Sequence, residues 1–244
     1  FERNNKRVIL TEAGKFYEKE MREVLKNIEC INIKTKKISE NQSGEFRIAY
    51  VSSTFSGDIS GLVLYLSEQF PYVNFRLYEV PTVKQIKALE EFKIDLGIVR
   101  APLHSPKIET HLWFKDNFSL VFNKNLYPIQ FEQEIETLSE TTFVFFNKEY
   151  SPQYYDNLLE ICTHFGFAPK VVHESNNISS IIQLVKNGLG VSIVPTAILK
   201  SHNYPEIGYI EIKSVNLFTD ILLATPKGHQ SEIARTAIDF LKKK

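Results

Sequence analysis

From Glu12 to Ser39 the chain contains no proline, and its one glycine, Gly14, falls in the first turn. Within that stretch Tyr17, Met21, Val24, Ile28, Ile31, Thr35 and Ile38 recur at alternating spacings of four and three. That spacing sets apolar residues at a and d positions over three heptads, the pattern of a helix that pairs along its length. Phe16 and Leu25 widen the stripe, and Lys, Arg and Glu fill the outer faces. A helix of this length reaches about 40 Å at ~1.5 Å per residue. It either lies along its own domain or pairs with a second copy. The polar flanks favour a homodimer seam through Tyr17, Met21, Val24, Ile28 and Ile31. Asn41-Gln42-Ser43-Gly44 reads as the polar hinge that ends the helix.

The residues ahead of this helix read as a small basic hairpin. Asn4-Asn5 supplies a turn signal, and Val8-Ile9-Leu10 is a short apolar run. Thr11 offers a side-chain oxygen to the orphan N–H groups of the helix start, and Glu12 suits its positive end. Arg3, Lys6 and Arg7 then sit on a strand pair hinged onto a long helix, which fits an edge that touches nucleic acid. A hairpin with solvated charges would carry the same residues.

A different organisation begins at Phe46. Strands are expected over 46–51, 74–80 and 94–99, with helices over 59–70 and 83–92 between them. This βαβαβ order requires right-handed crossovers and a parallel sheet. Strands over 118–122, 143–146, 170–173 and 191–194, with helices over 152–165 and 178–186, make a second βαβ-type half. Asn187-Gly188 is well placed to close the second of those helices. A late strand over 217–224 can return to the first sheet, and a helix over 232–241 follows it. The expected fold class is α/β, a two-lobed small-molecule-binding body preceded by a long dimerisation helix. Lobe I is expected at 45–117 plus 218–244, lobe II at 118–217, the helix at 12–40 and the hairpin at 1–11.

The 244 residues, 43% of them hydrophobic, suffice for two modest cores. Net charge is zero overall, but residues 1–40 carry +3 and the remainder −3. A weakly basic arm on a weakly acidic body suits a DNA-proximal segment attached to a sensor that is not itself a nucleic-acid platform. Cys30 and Cys162 are far apart and form no CxxC, so both are expected as buried thiols in a reducing cytoplasm. No apolar run approaches the roughly 20 residues of a membrane span, so no membrane partner is expected.

Ligands of open parallel sheets sit beyond the carboxyl ends of the strands, near helix N-termini. The first strand ends in Ser52-Ser53-Thr54, the second in Glu79-Val80-Pro81 with Thr82 ahead of a helix, and the third in Val99-Arg100. Hydroxyls, exposed N–H groups and helix dipoles together favour a small anion. Arg100 can add a bidentate contact to a carboxylate. Taken singly, Ser52, Ser53 and Thr82 would serve as helix caps and Arg100 as an ion-pair partner. Their joint position at three successive strand ends is what marks a site.

These segments resemble the LysR-type transcriptional regulators. Phe1, Arg3, Arg7, Val8 and the Leu10-Thr11-Glu12-Ala13-Gly14 run resemble that family's wing and linker-helix start. Phe70-Pro71, Glu79 with Thr82, Asp95-Leu96-Gly97-Ile98-Val99-Arg100 and the stretch from Leu184 through Pro195 resemble its effector domain. The arginine after the third strand is like the subgroup that senses aromatic-degradation intermediates and small organic acids. The resemblance implies a periplasmic-binding-protein-like effector domain, a homodimer that assembles further into a homotetramer, and double-stranded DNA as partner of the full-length protein. It implies that the chain opens at the remnant wing of a winged helix-turn-helix. Alone it would then bind operator DNA poorly, Arg3, Lys6 and Arg7 touching phosphates only. It further implies that Ser52, Ser53 and Thr82 hold an effector carboxylate with Arg100 nearby. Gln153, Tyr154, Asn176 and Asn177 would face the cleft from the second lobe. The subgroup often carries Asn-Phe in place of Gln153-Tyr154 and a charged pair in place of Asn176-Asn177.

Other chemistries find less support. Gly188-x-Gly190 precedes a strand and lacks a third glycine, so it is a cap and turn rather than a dinucleotide loop. Ser52 and Ser53 lie outside any G-x-S-x-G and have no marked histidine partner. His104 and His111 stand seven apart with Pro106 between them, a poor metal spacing. Glu90-Glu91 and the acids of 132–136 read as solvated helix faces. The expectation is a regulator without cofactor, metal or catalytic activity; the alternatives are a solute-binding protein of a transport system and, more weakly, an α/β enzyme using Ser53.

Overall fold

The computed structural model describes residues 2–4, 7–39, 44–54, 57–201, 204–228 and 230–243. The chain separates into a leading unit, residues 1–45 with 72–74, and a body of residues 46–71 and 75–244. In the leading unit β1 (Glu2–Asn4) and β2 (Arg7–Ile9) pair antiparallel, with Arg3 opposite Val8. Lys6 lies outside the described residues. Thr11 caps α1 (Glu12–Ser39): Gly14 N–H donates to Thr11 Oγ1 at 3.1 Å, and Lys15 N–H donates to Thr11 O at 2.8 Å. Exposed pairs Lys15–Glu12, Arg22–Glu18 and Lys26–Glu23 lace the outer faces, local support of the i,i+3 and i,i+4 kind. The apolar stripe is open in the single chain. Tyr17, Val24, Leu25, Ile28 and Ile31 are exposed, and Met21 is half-buried. Cys30 is also only half-buried, because one helix has no interior of its own to hide a thiol. Residues 41–43 lie outside the described residues, and Gly44 starts a strand rather than completing a hinge.

The body opens with β3 (Gly44–Tyr50), α2 (Gly57–Gln69), β4 (Val73–Glu79), α3 (Thr82–Glu90) and β5 (Leu96–Arg100). β6 (Ile108–Phe114) follows, and β12 (Ile221–Pro226) returns late to complete a sheet of order β4-β3-β5-β12-β6. β3 and β5 are parallel, with Ile48 opposite Leu96. β12 runs antiparallel to both β5 and β6, so the sheet is mixed where the alternation alone predicts parallel. The reason is topological: β12 comes back from the other lobe and enters at the end where β5 leaves. β5 is the sheet's central strand, and its near-continuous apolar run is buried on both faces.

The second lobe has a three-stranded antiparallel sheet of β7 (Phe118–Asn123) between β10 (Ser192–Pro195) and β11 (Ile207–Glu211). Beside it β8 (Thr142–Phe146) and β9 (Lys170–Ser175) are parallel around α4 (Pro152–His164). α5 (Ile178–Lys186) follows β9 and α6 (Thr196–Ser201) follows β10; α7 (Glu232–Lys242) comes after β12. Phe118, Phe143, Phe145, Leu158, Ile161, Ile182 and Ile193 are buried together in the second lobe. Each such side chain contributes roughly 1.5–3 kcal/mol on leaving water.

Glu136 is exposed as the sequence suggests, but three of the acids read as solvated faces are instead fasteners. Glu90 Oε1 accepts from Ser105 Oγ at 2.6 Å. Glu132 Oε1 accepts from the N–H groups of Lys213 and Ser214 at 3.0 and 2.9 Å. Glu134 Oε2 accepts from Gln130 N–H at 2.7 Å at the start of its own 3₁₀ turn. Their partners are backbone groups or distant residues, which a charge pattern along the chain cannot reveal.

Candidate functional site

The ends of β3, β4 and β5 face the ends of β8, β9 and β10 across a cavity of about 230 Å³. Val51, Ser52, Ser53, Glu79, Val80, Pro81, Thr82, Val83 and Arg100 line it from the first lobe. Phe146, Tyr150, Ser151, Tyr154, Asn176, Asn177, Ile178 and Pro195 line it from the second. The lining includes the first residues of α3 and α5 and the N-cap Ser151 of α4. Three helices thus present their N-terminal ends to one cavity, where unpaired N–H groups and partial positive charge favour an anion.

Seven of the nine expected residues meet there: Ser52, Ser53, Thr82, Arg100, Tyr154, Asn176 and Asn177. Thr54 and Gln153 do not. Thr54 is buried within its own 3₁₀ turn, where its Oγ1 donates to Val51 O at 2.8 Å. Gln153 is exposed and donates to Asn157 Oδ1 at 3.2 Å. A single helical step of about 100° separates it from the inward Tyr154. The capping roles also differ from the simple alternative. Pro81, not Thr82, is the N-cap of α3, whereas Asn177 is a working N-cap whose Oδ1 accepts from Ser180 N–H at 3.1 Å.

Arg100 departs most from the expected role, because its guanidinium is committed inside the protein. Nε and Nη2 both donate to Ser53 Oγ, at 3.1 and 2.7 Å. Nη1 donates to Thr219 O and Thr219 Oγ1, and Nη2 reaches Asp116 Oδ2 at 3.4 Å. The pair is buried, and Asp116 is further held by Ala197 N–H at 3.0 Å. Burial lowers the pKa of Arg100, which stays protonated as arginines do. Burial also lifts the Asp116 carboxyl above its ordinary value, with Arg100 and the Ala197 N–H opposing the rise. A fork already spent on Ser53, Thr219 and Asp116 cannot grip a ligand carboxylate bidentately. Asp116 and Thr219 stand 16 and 119 residues away from Arg100, and sequence spacing gave no sign of either.

The second-lobe wall is aromatic. Tyr154 sits 5.7 Å from the Phe118 ring and 5.4 Å from Phe146, and burial raises its phenol pKa. Glu79, Phe146, Tyr150, Ser151, Ile178 and Pro195 also line the cavity without having been singled out as ligand residues. Applying the strand-end rule to β8, β9 and β10 would have found most of them. Glu79 Oε1 accepts from Asn177 Nδ2 at 3.0 Å, joining the end of β4 to the cap of α5. Among the described residues no three His, Cys, Asp or Glu are grouped to hold a metal ion.

Residues 39–244 match the LysR substrate binding domain. The chain is 27% identical over 237 residues to an uncharacterized HTH-type transcriptional regulator, YnfL, of Escherichia coli strain K12, covering 96% of this chain and 79% of that protein. The fold is similar to that of CbnR, a LysR family transcriptional regulator, with a TM-score of 0.68 at 18% identity over 97% of this chain and 83% of that one. It is also similar to the BenM effector binding domain with its effector benzoate, with a TM-score of 0.67 at 19% identity over 82% of this chain and 91% of that one. Two lobes of periplasmic-binding-protein type and a match over most of its length give one conclusion: this chain belongs to the LysR family of transcriptional regulators and carries that family's substrate-binding domain.

Proposed function

We propose that the cleft is the sensor of this regulator and takes a small effector through a carboxylate. The observation that carries the proposal is the state of two hydroxyls. Ser53 Oγ accepts twice from the Arg100 guanidinium, and Thr82 Oγ1 accepts from Arg100 N–H at 3.2 Å. Both acceptor sites of Ser53 and one of Thr82 are engaged in this way, and each hydroxyl still has its proton to give to a group in the cavity. Two aimed O–H donors, the hydroxyl of Ser52 and the helix N-termini call for an acceptor-rich anion. Arg100 then acts by orienting donors rather than by touching the ligand.

In this reading α1 forms the homodimer seam and effector domains assemble further. A ligand that prefers one closure angle of the lobes shifts the placement of the DNA-binding heads. The cleft is a binding site rather than a catalytic one, since the partner of Ser53 is a cation and not a general base. Thermal shift and calorimetry with benzoate test the site. Benzoate is expected to raise the melting temperature of the wild type and to lose most of that effect in Thr82→Val. Equal shifts in both proteins, or none in either, would overturn it. Hydrolysis of a generic ester that vanished in Ser53→Ala would instead favour an enzyme.

A further inference from the structure

We infer that Glu79 sets the charge class of the ligand, so that the cleft selects a zwitterion, one carboxylate plus one ammonium group, over a dicarboxylate. This rests on the carboxylate reading of the cleft. The only ionisable acids and bases among the described lining residues, the tyrosines aside, are Glu79 and Arg100. The charge of Arg100 is answered by Asp116 at 3.4 Å, and each of its side-chain nitrogens already has a protein acceptor. Among the described residues no cation pairs with Glu79 in this way; its Oε1 accepts from the neutral amide of Asn177, 3.0 Å away in the opposite lobe. Asn177 cannot turn away freely, because its Oδ1 is held as the cap of α5 by Ser180 N–H.

The charge pattern of the site is therefore asymmetric. Hydroxyl protons and helix N-termini supply donors for one carboxylate, and among the described residues no lysine, histidine or second arginine lines the cavity for another. A second carboxylate would meet the carboxylate of Glu79, whereas an ammonium group would find there the one acid among the described lining residues. Phe146 and Tyr150 add aromatic surface to the lining, suited to a ring or short hydrocarbon body.

A matched series on one ring isolates the effect. Dissociation constants are measured by calorimetry on the full chain for benzoate, 3- and 4-(aminomethyl)benzoate, isophthalate and terephthalate, in wild type and Glu79→Gln. The better aminomethylbenzoate is expected to bind on the order of tenfold more tightly than the phthalate of the same geometry. Glu79→Gln is expected to collapse most of that ratio. Glu79 is exposed, so the variant retains the fold. Phthalates that bind as tightly as the aminomethylbenzoates, or a ratio unchanged in Glu79→Gln, overturn the charge selection alone. Failure of all five compounds to bind overturns the carboxylate reading and this inference together.

Discussion

The Arg100 guanidinium reaches both segments that connect the two lobes. It lies 3.4 Å from Asp116, between β6 and β7, and 2.7 Å from the hydroxyl of Thr219, between β11 and β12. Thr219 N–H donates in turn to Asp116 O at 2.8 Å, so the two connections are tied to each other. The same arginine holds Ser53 at the cavity. Under the proposed sensor role, a ligand that moved Ser53 would pull on the segments that connect the lobes.

Removing one partner of this pair leaves the other charged and buried. Arg100→Met is expected to cost about 3–5 kcal/mol in chemical denaturation. Arg100→Met combined with Asp116→Leu is expected to recover much of the loss, because no unpaired charge remains. A double variant no more stable than Arg100→Met would remove the buried pair as the cause.

The open stripe of α1 gives a second expectation. Val24 and Ile28 are exposed in the single chain, and an a/d seam cannot bury aspartate. Val24→Asp with Ile28→Asp is expected to lower the mass measured by light scattering while leaving the circular dichroism of the body in place. An unchanged mass would refute the seam.

Glu132 gives a pH dependence with a defined sign. Slight burial pushes its carboxyl upward, but the Ser214 and Lys213 N–H donors and the nearby His164 outweigh that and hold it below the ordinary 4.5. A lowered folded pKa stabilises the fold above about pH 4.5, and the stabilisation is lost as pH falls through the depressed value. The melting-temperature gap between wild type and Glu132→Gln is therefore expected at pH 7 and should close in strong acid. A gap that persists at pH 2.5 would contradict this.

Two neighbouring glycines should respond unequally to alanine. At Gly190, φ is +137° and a Cβ would collide with the backbone carbonyl of Thr142, which belongs to a strand and cannot yield. At Gly188, φ is +80° and the new methyl would meet only the flexible end of Leu126, 2.7 Å away. Gly188→Ala is expected to cost about 1–2 kcal/mol, and Gly190→Ala about 3 or more. Equal losses in urea denaturation would argue against the Thr142 contact.

What the sequence determined by itself is what local physics encodes. Heptad spacing and the Thr11 cap define α1, which begins at Glu12 as the cap requires. Apolar runs and glycine stops define most of the βαβ elements within a few residues, and the strand-end rule brings Ser52, Ser53 and Thr82 to one cavity. β6, β11 and α6 escaped notice because they are short or partly exposed, with a weak period. Tertiary structure alone decided the direction of β12, since strand direction depends on where the chain re-enters the sheet. It alone decided that Arg100 faces inward to Asp116 and Thr219, because those partners are brought near only when the chain crosses between lobes twice. It also decided that Glu79 meets Asn177, residues 98 positions apart. Periodicity says which residues face a core or an edge. Which charges end up paired depends on distances that exist only after the lobes have closed on each other.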